Sequence, residues 1–168
     1  MRDDRLRASF PTMIIGDLLE PGAVTLRVSA ANKRQVLGVI ADVAARAFGV
    51  DAHEALEGLI ERESAGSTGV GQGVAIPHAR LSDIDRVRAV FVRLETPVAF
   101  GAVDDKPVDL LVALFAPRDA DSSHLRALAR ISRMMRQPDL REQLRKARSA
   151  DAVHVMLTHA HESKPTAA

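Results

Sequence analysis

Cysteine is absent from the 168 residues. This excludes disulfides, thiolate nucleophiles and thiolate metal sites, and is compatible with a reducing cytoplasm. Tyr and Trp are absent too, and Phe occurs only five times, so a platform for stacking nucleobases is not available. Neither sign of charge dominates, with 23 Lys+Arg against 22 Asp+Glu. A nucleic-acid binder normally carries a one-sided basic field. Long apolar runs are missing as well. The longest, Leu110 to Ala116, is far short of the roughly 20 residues that span a bilayer. The N-terminus, MRDDRLRASFPTMIIGDLLEPG, has no continuous apolar core of signal-peptide length. Together these absences argue against nucleic-acid binding, membrane insertion and export, and the expected location is the cytoplasm. No internal repeat and no linker divides the chain.

What is present is a core. Apolar residues make up 46% of the chain, enough for one domain of this length. Residues 1–11 read as a loose arm, 12–160 as a single domain and 161–168 as a frayed tail. Thr12 to Leu19 reads as a short helix stopped by Pro21-Gly22, and Ala23 to Val28 as a strand. Val36, Leu37, Ile40, Val43, Ala44 and Phe48 lie at helical spacing, closed by Gly49. Asp51 with Glu54 is a variant capping box that opens a second helix. Its expected buried stripe is Ala55, Leu56, Leu59 and Ile60, and Arg62 falls in its last turn.

Val74 to Ile76 reads as a short strand and Val87 to Leu94 as a longer one. Val108 to Ala116 has the composition of a central strand covered on both faces. Asp121 or Ser122 should cap a helix with Leu125, Leu128, Ile131 and Met135 inward. Two shorter helices follow, Asp139 to Ala147 and Ala150 to about His159. Strands mixed with helices imply a layered α/β fold with a small mixed sheet.

The chemistry concentrates in Arg62-Glu63-Ser64-Ala65-Gly66-Ser67-Thr68-Gly69-Val70-Gly71-Gln72-Gly73-Val74-Ala75-Ile76-Pro77-His78. Glycines let backbone N–H groups crowd around an anion, and the Ser67 and Thr68 hydroxyls add donors. The segment fits neither the nucleotide P-loop nor the dinucleotide fingerprint. Its plain alternative is a flexible turn. His78 can attack a phosphoryl group and release it near neutral pH. Pro77 ends the strand ladder and fixes φ just before it. The alternative is a surface or satisfied core histidine.

His124 sits near a helix N-terminus, where a neutral ring could donate to a phosphoryl oxygen. Its alternative is a helix-face histidine bordering the core. Arg62 offers a planar fork for phosphate oxygens, or else pairs with Glu61 or Glu63 as a solvated charge. His154, His159 and His161 read as solvated. A docking surface around His78 is expected from Val70, Val74, Ile76 and Phe100. Two other classes stay open: a metal site on His78 and His124 with Asp83 or Asp121, and an interaction domain whose histidine never reacts.

Taken together, these residues resemble the phosphotransferase-system enzyme IIA family of the fructose/mannitol type, closest to its nitrogen-regulatory branch. The resemblance runs through Arg62-Glu63, Gly66-Ser67-Thr68-Gly69, Gly71 and Gly73-Val74-Ala75-Ile76-Pro77-His78. It continues through Leu94-Glu95-Thr96-Pro97-Val98-Ala99-Phe100, Pro107-Val108-Asp109-Leu110-Leu111 and His124-Leu125, and spans roughly residues 12 to 158. It implies a mixed sheet of about five strands with helices on both faces. It implies a phosphohistidine carrier with no small-molecule turnover of its own and no cofactor. His78 matches the phosphorylated residue, as tele-phosphohistidine, and Arg62 and His124 match the residues flanking it. The expected phosphate-binding loop is Ser67, Thr68, Gly69, Gly71 and Gln72.

The implied donor is a small HPr-type carrier protein. In the nitrogen branch, phosphorylation state regulates partners such as potassium transporters and sensor kinases. In sugar-transporting relatives, phosphate passes on to a cysteine of a IIB unit. The chain departs from the branch at Gln72, where Asn is usual, and at Ala79-Arg80, where Gly followed by Lys is usual. No IIB or IIC motif is found, so a free-standing regulatory chain is expected.

Overall fold

The computed structural model describes residues 15–160. The expected arm, the start of the first helix, the tail and His161 lie outside the described residues. The sheet is built around β6 (Val108–Pro117), buried along nearly its whole length. Its Leu, Val and Phe side chains each contribute about 2 kcal/mol by leaving water. One edge of β6 pairs antiparallel with β5 (Arg88–Val98), Phe91 facing Val112. β1 (Val24–Val28) runs parallel to β5 on its outer side.

The other edge of β6 pairs, in parallel, first with β3 (Val74–Ala75) and then with β4 (His78–Leu81). β2 (Gly69–Gly71) closes a hairpin onto β3. The sheet therefore has five strand positions filled by six strands. Pro77, lacking an N–H, interrupts one position and splits it into β3 and β4. The expected ending of a strand at Pro77 is half right: the ladder resumes at His78, and Leu114 N–H donates to Pro77 O at 2.9 Å.

Helices cover both faces. α1 (Ile15–Leu18), followed by a 3₁₀ turn at Pro21–Ala23, packs with α6 (Ala150–His159). With α4 (Ser122–Met135), these cover the face of β5 and β6 that carries Ala89 and Val112. α5 (Pro138–Lys146) packs between α4 and α6. α2 (Lys33–Phe48) and α3 (Ala52–Ser64) pack on each other, against β5 and β4 respectively.

The helix ends follow local chemistry. Asn32 Oδ1 accepts from Gln35 N–H, and Gly49, at φ 72°, ends α2 in the left-handed conformation that glycine adopts without strain. Asp51 Oδ1 accepts from Glu54 N–H as expected. The Glu54 carboxylate does not return to the cap, however. It accepts from Ser82 N–H, Ser82 Oγ and Arg118 Nη2 instead.

Two helix faces differ from expectation. On α3, Leu56 and Ile60 are only half-buried, and Ala55, Leu59 and Glu63 form the covered stripe. On α4, the inward set is His124, Ala127, Ile131, Met134 and Met135, while Leu125 is 68% exposed. The helix is rotated by about one residue relative to the leucine pattern. That rotation brings His124 inward.

Candidate functional site at His78

His78 opens β4, and register sets its direction. It pairs with Leu114, and in turn Leu114 pairs with Ala89, so its side chain shares the sheet face covered by α4. Ala79 points the other way, toward α3. There Gly58 permits a close approach, because a Cβ at that position would lie 2.9 Å from Ala79 Cβ. Among the described residues no strand pairs with the outer side of β4. The last turn of α3 can therefore reach round the sheet edge and bring Arg62 to the ring.

The ring is held at both nitrogens. Nδ1 lies 3.0 Å from Ile76 O. A carbonyl only accepts, so Nδ1 carries the proton and Nε2 of the neutral ring presents its lone pair. Arg62 Nε–H donates to that lone pair at 3.1 Å. Arg62 Nη1 donates to Gly66 O at 2.9 Å, which fixes the guanidinium from behind. It pairs with neither Glu61 nor Glu63.

The His124 ring stands edge-on to His78, centroids 5.5 Å apart at 76°. His124 is 5% exposed, and its Nε2 has no hydrogen-bond partner among the described residues. An unpaired buried nitrogen beside a cleft is costly unless something fills it.

Both rings favour the neutral form. Desolvation lowers the His78 pKa most, and the Arg62 charge adds to this; the Ile76 carbonyl and the Glu63 carboxylate oppose it. For His124, desolvation again leads, followed by the charges of His78 and Arg80. The cleft in front of the rings has a volume of about 580 Å³ and is edged by Glu54, Glu61, Arg80, Arg118 and Leu125.

His78, Arg62 and His124 are thus brought together; the glycine loop is not. None of Ser67, Thr68, Gly69, Gly71 or Gln72 lines this cleft. Ser67 Oγ donates to Phe100 O and accepts from Gly69 N–H. Thr68 N–H and Oγ1 donate to the Glu63 carboxylate at 3.0 and 2.6 Å, and Gln72 N–H donates to Asp104. Glu63 is 9% exposed and also takes Lys33 Nζ at 2.8 Å. A buried carboxylate must collect donors, and these are the loop's.

The sequence offered Glu63 only as a solvated partner of Arg62 and missed its buried role, although Ala55, Leu59 and Glu63 follow an i, i+4, i+8 stripe. The expected docking residues Val74, Ile76 and Phe100 are buried core; only Val70 is exposed, and it faces a different cleft. Leu125 and Leu128 are the large apolar residues at the His78 cleft, beside Ala65 and Ala79. Among the described residues no three His, Cys, Asp or Glu side chains cluster as a metal site. No described helix is long and apolar enough to cross a membrane.

Residues 17–160 match the family model of the phosphoenolpyruvate-dependent sugar phosphotransferase system, EIIA 2. The chain belongs to this family of phosphotransferase-system components. Within it, the chain is 40% identical over 145 residues to a nitrogen regulatory protein of Bradyrhizobium diazoefficiens, covering 86% of this chain and 95% of that one. The crystal structure of nitrogen regulatory protein IIA-Ntr from Neisseria meningitidis matches with a TM-score of 0.81 at 34% identity, covering 86% of this chain and 99% of that one. A fructose-specific EIIA component of Haloferax volcanii is 34% identical over 140 residues, covering 83% of this chain and 91% of that one.

Proposed function

We propose that His78 accepts a phosphoryl group on Nε2 from the phosphohistidine of an HPr-type carrier protein, and that its phosphorylation state regulates partner proteins. The observation that carries this reading is the pairing of Nδ1–H with Ile76 O, which leaves Nε2 as the nucleophilic nitrogen. In the transfer, an Nε2–P bond forms as the donor's N–P bond breaks. The donor ring leaves with the electron pair of the broken bond. Both ends are phosphoramidates, so the step is close to reversible.

Phosphoryl transfer asks mainly for alignment and for charge stabilisation at the equatorial oxygens. Arg62 occupies the lone pair that must attack. Its guanidinium therefore shifts onto the incoming oxygens, with Gly66 O as its pivot. Buried His124 Nε2 faces the same group and gains the partner it lacks. Ser67, Thr68 and Gly69 act indirectly in this scheme, by holding Gly66 and the end of α3 in place. Regulation rather than sugar uptake is favoured by the relatives named nitrogen regulatory protein. Transfer onward to a IIB cysteine is the second reading, favoured by the fructose-specific relative.

The test is phosphate labelling with phosphoenolpyruvate, enzyme I and the carrier. The wild-type chain should take up one acid-labile phosphate and His78→Ala none. Label persisting in His78→Ala would refute the assignment. Adding a IIB unit separates the two readings: the regulatory one expects the label to stay.

A further inference from the structure

The glycine-rich turn that stands away from His78 opens on a second cleft, at the opposite end of α4 from His124. It has a volume of about 340 Å³ and is edged by Val70 and Gln72, by Ser132, Met135 and Arg136 at the end of α4, and by Arg141 of α5. This is within the size range of small-molecule pockets.

Three observations bear on what it holds. First, Gln72 adopts φ 58°, a left-handed conformation unusual for a residue with a side chain. Charged groups pin it on both sides. Its N–H donates to Asp104 at 2.9 Å, and its carbonyl accepts from Arg145 Nη2 at 2.8 Å. Arg145 is in turn held by both oxygens of Asp109. Strained residues persist where the surroundings over-determine them, and such positions gather at ligand sites.

Second, two guanidiniums reach the cleft with N–H groups to offer. Arg141 is 9% exposed, and its Nη1 donates to Met135 O. That bond caps the negative end of α4 and leaves the rest of the fork without a partner among the described residues. The Arg136 guanidinium has no partner among the described residues. Third, no carboxylate lines the cleft. The acids of the turn, Asp104 and Asp109, are engaged by Gln72 and Arg145.

We propose that this cleft binds a small organic polyanion, a phosphate monoester or a dicarboxylate. Arg136 and Arg141 grip its acidic oxygens. The Gln72 amide and the Ser132 hydroxyl complete the donor set, and the carbon part rests against Val70 and Met135. Gln72 thus serves an anion other than the one carried at His78.

The experiment titrates isotope-labelled chain, at physiological salt, with inorganic phosphate, butyl phosphate and succinate, with butanol as the neutral control. Saturable amide shifts are expected at Gly71 to Gly73 and Ser132 to Arg136, with none from butanol. Tighter binding of butyl phosphate assigns the site to phosphate monoesters, and tighter binding of succinate to dicarboxylates. Arg136→Gln, on an exposed side chain, should weaken the binding about tenfold or more without moving the thermal midpoint, and Arg136→Glu should abolish it. The proposal is overturned if none of the three anions saturates. Shifts confined to Arg62, His78 and His124, or an unchanged affinity in Arg136→Gln, overturn it equally.

Discussion

The two halves of Gly66–His78 look alike as sequence, small and apolar residues with hydroxyls or a histidine at intervals, yet they do opposite things with their polar groups. At Ser67 and Thr68 the donors turn inward, to Phe100 O and Glu63, and the Gln72 N–H is taken by the exposed Asp104 carboxylate. From Ile76 to His78 one carbonyl is aimed at a ring nitrogen, and the other nitrogen accepts from Arg62 and, in the proposed reading, takes the phosphoryl group. The difference comes from the neighbours. The first half lies over a buried carboxylate that must be satisfied, whereas the second lies along the central strand, whose ladder fixes the backbone whatever the ring is doing. In the proposed reading, one half is scaffold and the other is instrument.

The largest expected effect acts on the second half alone. His78→Ala should bring phosphate uptake to background while leaving the fold intact, checked by labelling and by thermal unfolding. The converse is Glu63→Ala. It strips Thr68 and Lys33 of their acceptor and should destabilise by about 2–3 kcal/mol in urea unfolding. A loss within about 0.5 kcal/mol would mean that the first half does not depend on this carboxylate. Arg62→Ala should slow transfer roughly a hundredfold, in the range for removing one charge-stabilising donor, with little change in unfolding. An unchanged rate breaks the link between the halves through Gly66 O.

Smaller effects follow from pH and strain. Both ring pKa values are lowered below the usual 6.5. Between the usual and the lowered values the unfolded chain binds protons that the folded chain does not, so stability rises with pH there. It is complete above the ordinary histidine range and is lost as pH falls through the lowered values. Urea midpoints from pH 8 to pH 5 should show that fall, and His124→Gln should flatten it. A flat wild-type curve would contradict the buried, neutral rings. Smallest is Gln72→Gly. Relief of the left-handed backbone, about 1 kcal/mol, is partly offset by glycine's extra freedom in the unfolded chain. A net gain under about 1 kcal/mol is expected, and a net loss would show that the turn is not strained.

Much of this was legible beforehand. The runs at Val36–Phe48 and Val108–Ala116 and the cap at Asp51 announced their elements by period and composition. The site triad was legible because Pro77, the helix end at Arg62 and the helix start near His124 each leave a local mark. The orientation of α4 was not. Leu125 and Leu128 imitate a core stripe, and only packing against the sheet shows that His124 takes the inward place. Nor were β2 and β4, which are short and depend on pairing with strands far along the chain. The destination of the loop donors was hidden for a similar reason. Nothing in Ser67-Thr68-Gly69 says whether an anion in a cleft or Glu63 will be the acceptor, since both ask for the same N–H groups.

The fastening of Pro77 O to Leu114 has a bearing on how a phosphorylated state could be read. A residue moored to the middle of a sheet does not drag its neighbours when its side chain is modified. Two forms of such a protein share one outline, and differ by a patch of negative charge and the posture of a single arginine. Those signals fade within about 8 Å in physiological salt. In the proposed function, any partner able to tell the forms apart has to sit directly over the ring, in the place where the donor itself must come, so delivery of the phosphate and recognition of the result would exclude one another in time.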